Sequence, residues 1–102
     1  MEENYYIIIF TTIRTDGDNG YEAMNEKTFS LVEKQPGYMG AESFNNEAGK
    51  HVTIVKFRTE EDIKNWRQNE VHMKAQKLGR DRWYKYYNVT VCKVVREYEF
   101  NK

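Results

Sequence analysis

The sequence predicts an α+β domain: a four-stranded antiparallel sheet with two helices on one face, in the order β-α-β-β-α-β. Three observations carry this. Tyr5–Ile13 (YYIIIFTTI) is an apolar run of strand length. Two longer stretches, one after the first strand and one before the last, carry helix signals at both ends. Between them lie two short extended segments joined by turn residues.

The first strand is apolar on both faces. Successive side chains of a strand point to opposite sides, so Tyr5, Ile7, Ile9 and Thr11 share one face, and Tyr6, Ile8, Phe10 and Thr12 the other. An antiparallel sheet in a small monomer usually keeps one face wet. Two helices cover one side, and the other is most simply buried by a second copy, which predicts a homodimer.

Asp16-Gly17-Asp18-Asn19-Gly20 ends that strand and offers Asp18 or Asn19 as a helix N-cap. Tyr21, Met24, Thr28, Leu31 and Val32 then follow at three- and four-residue spacing, one face of a helix reaching about Lys34. Gln35-Pro36-Gly37 stops it. Tyr38–Asn45 and His51–Arg58 read as a hairpin around Asn46–Lys50. Thr59, followed by Glu60, Glu61 and Asp62, starts a second helix with a capping-box pattern, predicted to run to about Leu78 and end at Gly79. Asp81–Tyr86 is read as a further turn, and Asn88–Tyr98 as the last strand. This order is the split-βαβ, ferredoxin-like arrangement, with the apolar first and last strands expected between neighbours.

One domain, 1-102, accounts for the length, since no linker or shift in composition interrupts it. Sixteen basic and sixteen acidic side chains cancel and are scattered, which argues against nucleic acid and anionic membranes as partners. The apolar runs are too short for a bilayer, and the acidic start lacks the features of a secretory signal. Cys92 is the only cysteine, so a disulfide framework and a thiolate metal site are excluded, and a reducing cytoplasm fits. With two histidines far apart in sequence, no metal site is expected.

Candidate chemistry sits on the second helix. Placed at 100° per residue, Arg67, Glu70, Lys74 and Lys77 fall on a solvated arc. Asn65, Asn69, His72, Met73 and Gln76 fall on the opposite one, together with Asp62 and beside Trp66. A helix that merely packs on a sheet presents Leu, Ile and Val there. Buried amide and imidazole groups need partners, so this arc predicts either an internal polar network or a hydrated ligand cavity. His72 is the candidate proton donor or acceptor, because imidazole titrates near neutrality; it is also a candidate axial haem ligand. His51, after a turn, reads as a surface residue. Trp83-Tyr84-Lys85-Tyr86-Tyr87 is an aromatic cluster suited to an interface or a pocket rim.

Gln35–Phe44 (QPGYMGAESF), the series Trp66, His72, Ala75-Gln76, Gly79-Arg80 and the following Trp83-Tyr84 resemble the antibiotic biosynthesis monooxygenase (ABM) domain family, in particular its small stand-alone bacterial members. The resemblance covers residues 4–100. It implies a ferredoxin-like protomer and a dimeric α/β barrel in which two sheets pack face to face. It also implies a pocket between sheet and helices. Characterised relatives include cofactor-independent oxygenases of phenolic or hydroquinone substrates, and haem-degrading monooxygenases. Trp66 matches the pocket tryptophan in type and element. His72 lies closer to that tryptophan than the iron-binding histidine of haem degraders does. Their early first-strand asparagine has no counterpart: Asn4 precedes the strand, and Thr11 or Thr12 offers only a hydroxyl.

The resulting expectation is a homodimeric, cytoplasmic oxygenase without a tightly held cofactor, acting on a small aromatic or quinol molecule. Trp66 would shape the pocket and stack on substrate, while His72, with Asn69 and Gln76, would move a proton. Asn65, Met73, Trp83 and Tyr84 would contact the substrate. The alternatives are a non-catalytic dimeric binding or stress-response module on the same scaffold, and a haem-binding protein. A cavity beside Trp66 plugged by side chains would favour the module.

Overall fold

A computed structural model describes residues 4–102; the acidic Glu2 and Glu3 lie outside the described residues. The strands are β1 (Tyr6–Arg14), β2 (Tyr38–Asn45), β3 (Lys50–Phe57) and β4 (Tyr84–Lys93). The helices are α1 (Tyr21–Val32), α2 (Glu60–Arg67) and α3 (Glu70–Leu78), followed by a π turn at Gly79–Trp83. The strands form one antiparallel sheet in the order β2-β3-β1-β4, the ferredoxin-like α+β architecture. The central pair is therefore β1 and β3, and β4 is an edge strand, not one held between neighbours. The β2–β3 hairpin offers one free edge to β1, and β4 takes the remaining side of β1.

The expected single helix over Thr59–Leu78 is two helices. Asn69 has extended backbone (φ −61°, ψ 131°), and its side-chain oxygen accepts from the Val71 N–H at 3.0 Å and the His72 N–H at 3.2 Å. Asparagine competes with helical hydrogen bonding and is favoured as an N-cap, so it ends one helix and starts the next. The capping pair at Thr59 forms: its hydroxyl oxygen accepts from the Asp62 N–H at 3.1 Å and donates to the Asp62 carboxylate at 2.9 Å. At the start of α1 it is Asp18 whose carboxylate accepts from the N–H groups of Gly20 and Glu22.

Strand parity sends Tyr6, Ile8, Phe10 and Thr12 toward the helices, with Val55 and Phe57 of β3 beside them. Val32, Phe57, Ile63 and Trp66 close the core there. Ile7, Ile9 and Ile13 point the other way, sharing their face with Val52 and Ile54 of β3 and Phe44 of β2. Regular pairing of β4 ends at Lys93, five residues before the expected limit, although the Val94 N–H still donates to the Tyr5 carbonyl at 2.8 Å. Val95, Tyr98 and Phe100 lie exposed beyond it.

Candidate active site

A cavity of ≈ 270 Å³ lies between the helices and the helix-facing side of the sheet. It is open beside Trp66, whose ring is buried and forms part of its wall. This volume is near the lower end of the ~300–1,000 Å³ typical of small-molecule sites.

The helix break shapes one end of the cavity. In an unbroken helix the Trp66 carbonyl would accept from the N–H of residue 70. Here it accepts instead from the Asn69 N–H at 3.1 Å and lies 3.2 Å from Nδ1 of His72. A carbonyl can only accept, so Nδ1 carries the hydrogen, and the lone pair is assigned to Nε2. Gln76 places the outer end of its amide 3.3 Å from the same Nδ1. With that hydrogen in place, the Gln76 amide is best oriented with its oxygen toward the ring. The imidazole lies flat on the Trp66 indole, with centroids 4.3 Å apart and planes 14° from parallel. Burial pushes the His72 imidazole below its ordinary value of 6.5; the Trp66 carbonyl opposes this, and the nearby Arg67 charge adds to it. His72 is thus a neutral base at pH 7, with its ring held on two sides.

The other end is aromatic. The bulge between Ile13 and Arg14 sets Tyr84 opposite Arg14 and Tyr87 opposite Thr12, so that both tyrosines reach the cavity wall. Phe10 meets Tyr84 edge-on at 5.7 Å, and Tyr21 meets Trp83 edge-on at 5.5 Å. The Arg14 guanidinium lies 3.6 Å from the Tyr21 ring centre and donates to the Trp83 carbonyl at 3.2 Å. Burial holds the Tyr84 phenol well above its usual range, with Tyr21 adding to the shift and Arg14 opposing it. Gly79 is what lets this ring pack: a Cβ there would stand 2.7 Å from the Tyr84 ring.

The structure brings Trp66, His72, Gln76, Trp83 and Tyr84 to one cavity. Asn69 is not in its wall, because its side-chain oxygen caps α3. Asn65 and Met73 face outward and are also outside the wall. Met73 lies beyond the break at Asn69, which spoils a helical phase counted through it, whereas Asn65 precedes the break on α2, whose inward side holds Ile63, Trp66 and Arg67. Two further readings are corrected: Arg67, placed on the solvated arc of the wheel, lines the cavity, and so does His51, read as a surface residue because it follows a turn. The pairing of β3 explains His51, which lies opposite Thr12, a helix-facing residue.

Two hydroxyls belong to the site that are not among the candidate site residues, although the sequence offers Thr12 as a possible hydroxyl and places Thr28 on the face of α1. Thr12 is 1 % exposed, and its oxygen, like that of Thr28 on α1, is buried without a hydrogen-bond partner, yet both residues line the cavity. Buried hydroxyls are nearly always paired, so these two mark places for water or ligand atoms. Strand parity singles out Thr12 over Thr11, and Thr28 interrupts the apolar stripe of α1; both signals were present in the sequence. Among the described residues, no three His, Cys, Asp or Glu side chains converge to hold a metal ion. No described helix is long and apolar enough to cross a membrane.

No family model matches the chain. Among solved structures, a Nitrosomonas europaea protein provisionally named an antibiotic biosynthesis monooxygenase superposes with a TM-score of 0.73 at 11% identity, covering 93% of each chain. A point variant of SnoaB, a cofactor-independent oxygenase from Streptomyces nogalater, superposes with a TM-score of 0.74 at 9% identity, covering 94% of this chain and 97% of the other. At such identities the likeness is one of fold. In sequence, the uncharacterized protein YqjZ of Bacillus subtilis (strain 168) is 35% identical over 101 residues, covering 99% of this chain and 89% of YqjZ. The chain therefore belongs to the family of YqjZ and carries the fold of the antibiotic biosynthesis monooxygenase domain.

Proposed function

We propose that this protein is a homodimeric oxygenase that oxidises a small phenolic or quinol substrate with molecular oxygen and without a tightly held cofactor. The observation that carries this reading is His72: a neutral imidazole in a cavity wall, stacked on Trp66, with Nδ1–H directed to a backbone carbonyl. Such a group accepts a proton at Nε2. The oxygenase named among the structural neighbours supports the reaction class, and an open cavity supports a ligand site over a plugged, purely structural scaffold.

In the proposed reaction His72 takes the hydroxyl proton of the substrate. The resulting anion gives one electron to oxygen, and the two radicals combine to form a C–O bond at the ring carbon. The peroxide O–O bond then breaks, leaving a carbonyl on the ring. The second oxygen departs as water, carrying the proton from His72 and the hydrogen of that carbon. The substrate loses four electrons and oxygen gains four. Trp66 supplies a flat wall and keeps water from the intermediate. A cavity of ≈ 270 Å³ suits one or two rings better than a tetrapyrrole, which favours the phenolic substrate over haem.

The dimer part of the proposal rests on the opposite sheet face. Phe44 there is 53% exposed, beside Ile9, Val52 and Ile54, and a second copy would cover this apolar surface. Sedimentation at micromolar concentration should give a dimer; a folded monomer would overturn this part. The reaction is tested by oxygen uptake with a panel of dihydroxy-aromatic compounds, comparing wild type with His72→Ala. Turnover by wild type and its loss in the variant are expected, whereas equal rates would remove His72 from the chemistry.

A further inference from the structure

The charge in the cavity wall is one-sided. Arg67, at the end of α2, and Arg80, in the π turn, both line the cavity while remaining exposed, which places them at its opening. No aspartate, glutamate or lysine lines it. Among the described residues, neither arginine forms an ion pair: the Asp81 carboxylate next to Arg80 is engaged by Lys77 at 2.8 Å. The histidines do not balance these charges, since a histidine can only be neutral or positive. In a chain with equal numbers of acidic and basic groups, two guanidiniums without a carboxylate around one concavity form a local positive field.

We infer that the cavity selects an aromatic molecule bearing a carboxylate, with Arg67 and Arg80, flanking the two ends of α3, supplying the positive field that draws the carboxylate to the opening and the ring reaching inward to Trp66. A guanidinium presents its N–H groups in a planar fork that matches a carboxylate. Deeper in, the unpartnered Thr12 and Thr28 hydroxyls offer partners for ring hydroxyls. The carboxylate end of the ligand stays near solvent, so it is not stripped of all its water on binding. This inference deepens the proposed function and rests on the cavity being a site for aromatic molecules.

The test is binding under argon, read by quenching of tryptophan fluorescence, with a dihydroxybenzoate and the matching dihydroxybenzamide as probes. The two share a ring and differ in charge. Wild type is expected to bind the benzoate at least about tenfold more tightly at low ionic strength, a preference that shrinks as salt rises. Arg67→Gln and Arg80→Gln should each reduce the preference, and the double variant should abolish it. Lys74→Gln, an exposed change outside the cavity wall, should leave it intact. Equal affinity for the two probes, or a preference that survives in the double variant, would overturn the inference. Failure of both probes to bind would overturn it together with the proposed function. Preferential benzoate binding with no oxygen uptake on any ring would support the inference and remove only the oxygenase reaction.

Discussion

The two ends of the cavity use the same physical force to different effect. Burial disfavours the charged form of any group, so it lowers the pKa of His72 and raises that of Tyr84. Both groups are therefore neutral at pH 7, and protonation alone does not assign their roles. Geometry does. The Trp66 carbonyl occupies Nδ1 of His72, leaving an acceptor at Nε2, whereas Tyr84 remains a phenol packed among Phe10, Tyr21 and Tyr87. One end is equipped to take a proton, and the other is a packed aromatic wall.

The largest difference between the ends should appear in turnover. Loss of a positioned general base typically costs about 10²–10⁴-fold, so His72→Ala should fall in that range. Tyr84→Phe keeps the ring and should lose no more than about tenfold, the cost of about one hydrogen bond. A Tyr84→Phe rate as low as that of His72→Ala would reverse the assignment. Next in size is stability at the aromatic end. Gly79→Ala places a Cβ against the Tyr84 ring and should cost about 1–3 kcal/mol, measured by urea unfolding, as overpacking does elsewhere. An unchanged midpoint would show that the ring moves freely.

The smallest expected effect is a pH dependence at the histidine end. Because the folded-state pKa of His72 lies below 6.5, the unfolded chain binds the proton more readily there. Stability is thus fully present above the unfolded value and falls as pH drops below about 6.5 toward the folded value. His72→Gln should flatten that slope. A slope identical in the variant would place its origin in other groups.

Much of this was legible in the sequence. Tyr5–Ile13, apolar on both faces, marked the central strand, and Gln35-Pro36-Gly37 and Thr59–Asp62 marked helix ends where they occur. Trp66, His72 and Gln76 were named together because polar groups on an inward helical arc require an explanation. The same wheel misplaced Asn69 and Met73, as it assumed one uninterrupted helix. It misplaced Asn65 and Arg67 because it took the wrong side of Trp66 as inward: Ile63, Trp66 and Arg67 share the cavity side of α2. The warning was local: Asn69 followed by Glu70 is itself a helix start.

Local pattern by itself determined the elements, their order and the α+β class, because periodicity and capping act over a few residues. Tertiary structure decided which strand became the edge, how the π turn and the bulge aim Tyr84, and which arginines line the cavity. Those outcomes depend on contacts between segments far apart in sequence: β4 pairs with β1 across the whole chain, Arg14 donates to the Trp83 carbonyl, and the Trp83 indole N–H donates to the Asn19 carbonyl. Such packing is specified only when all the elements meet.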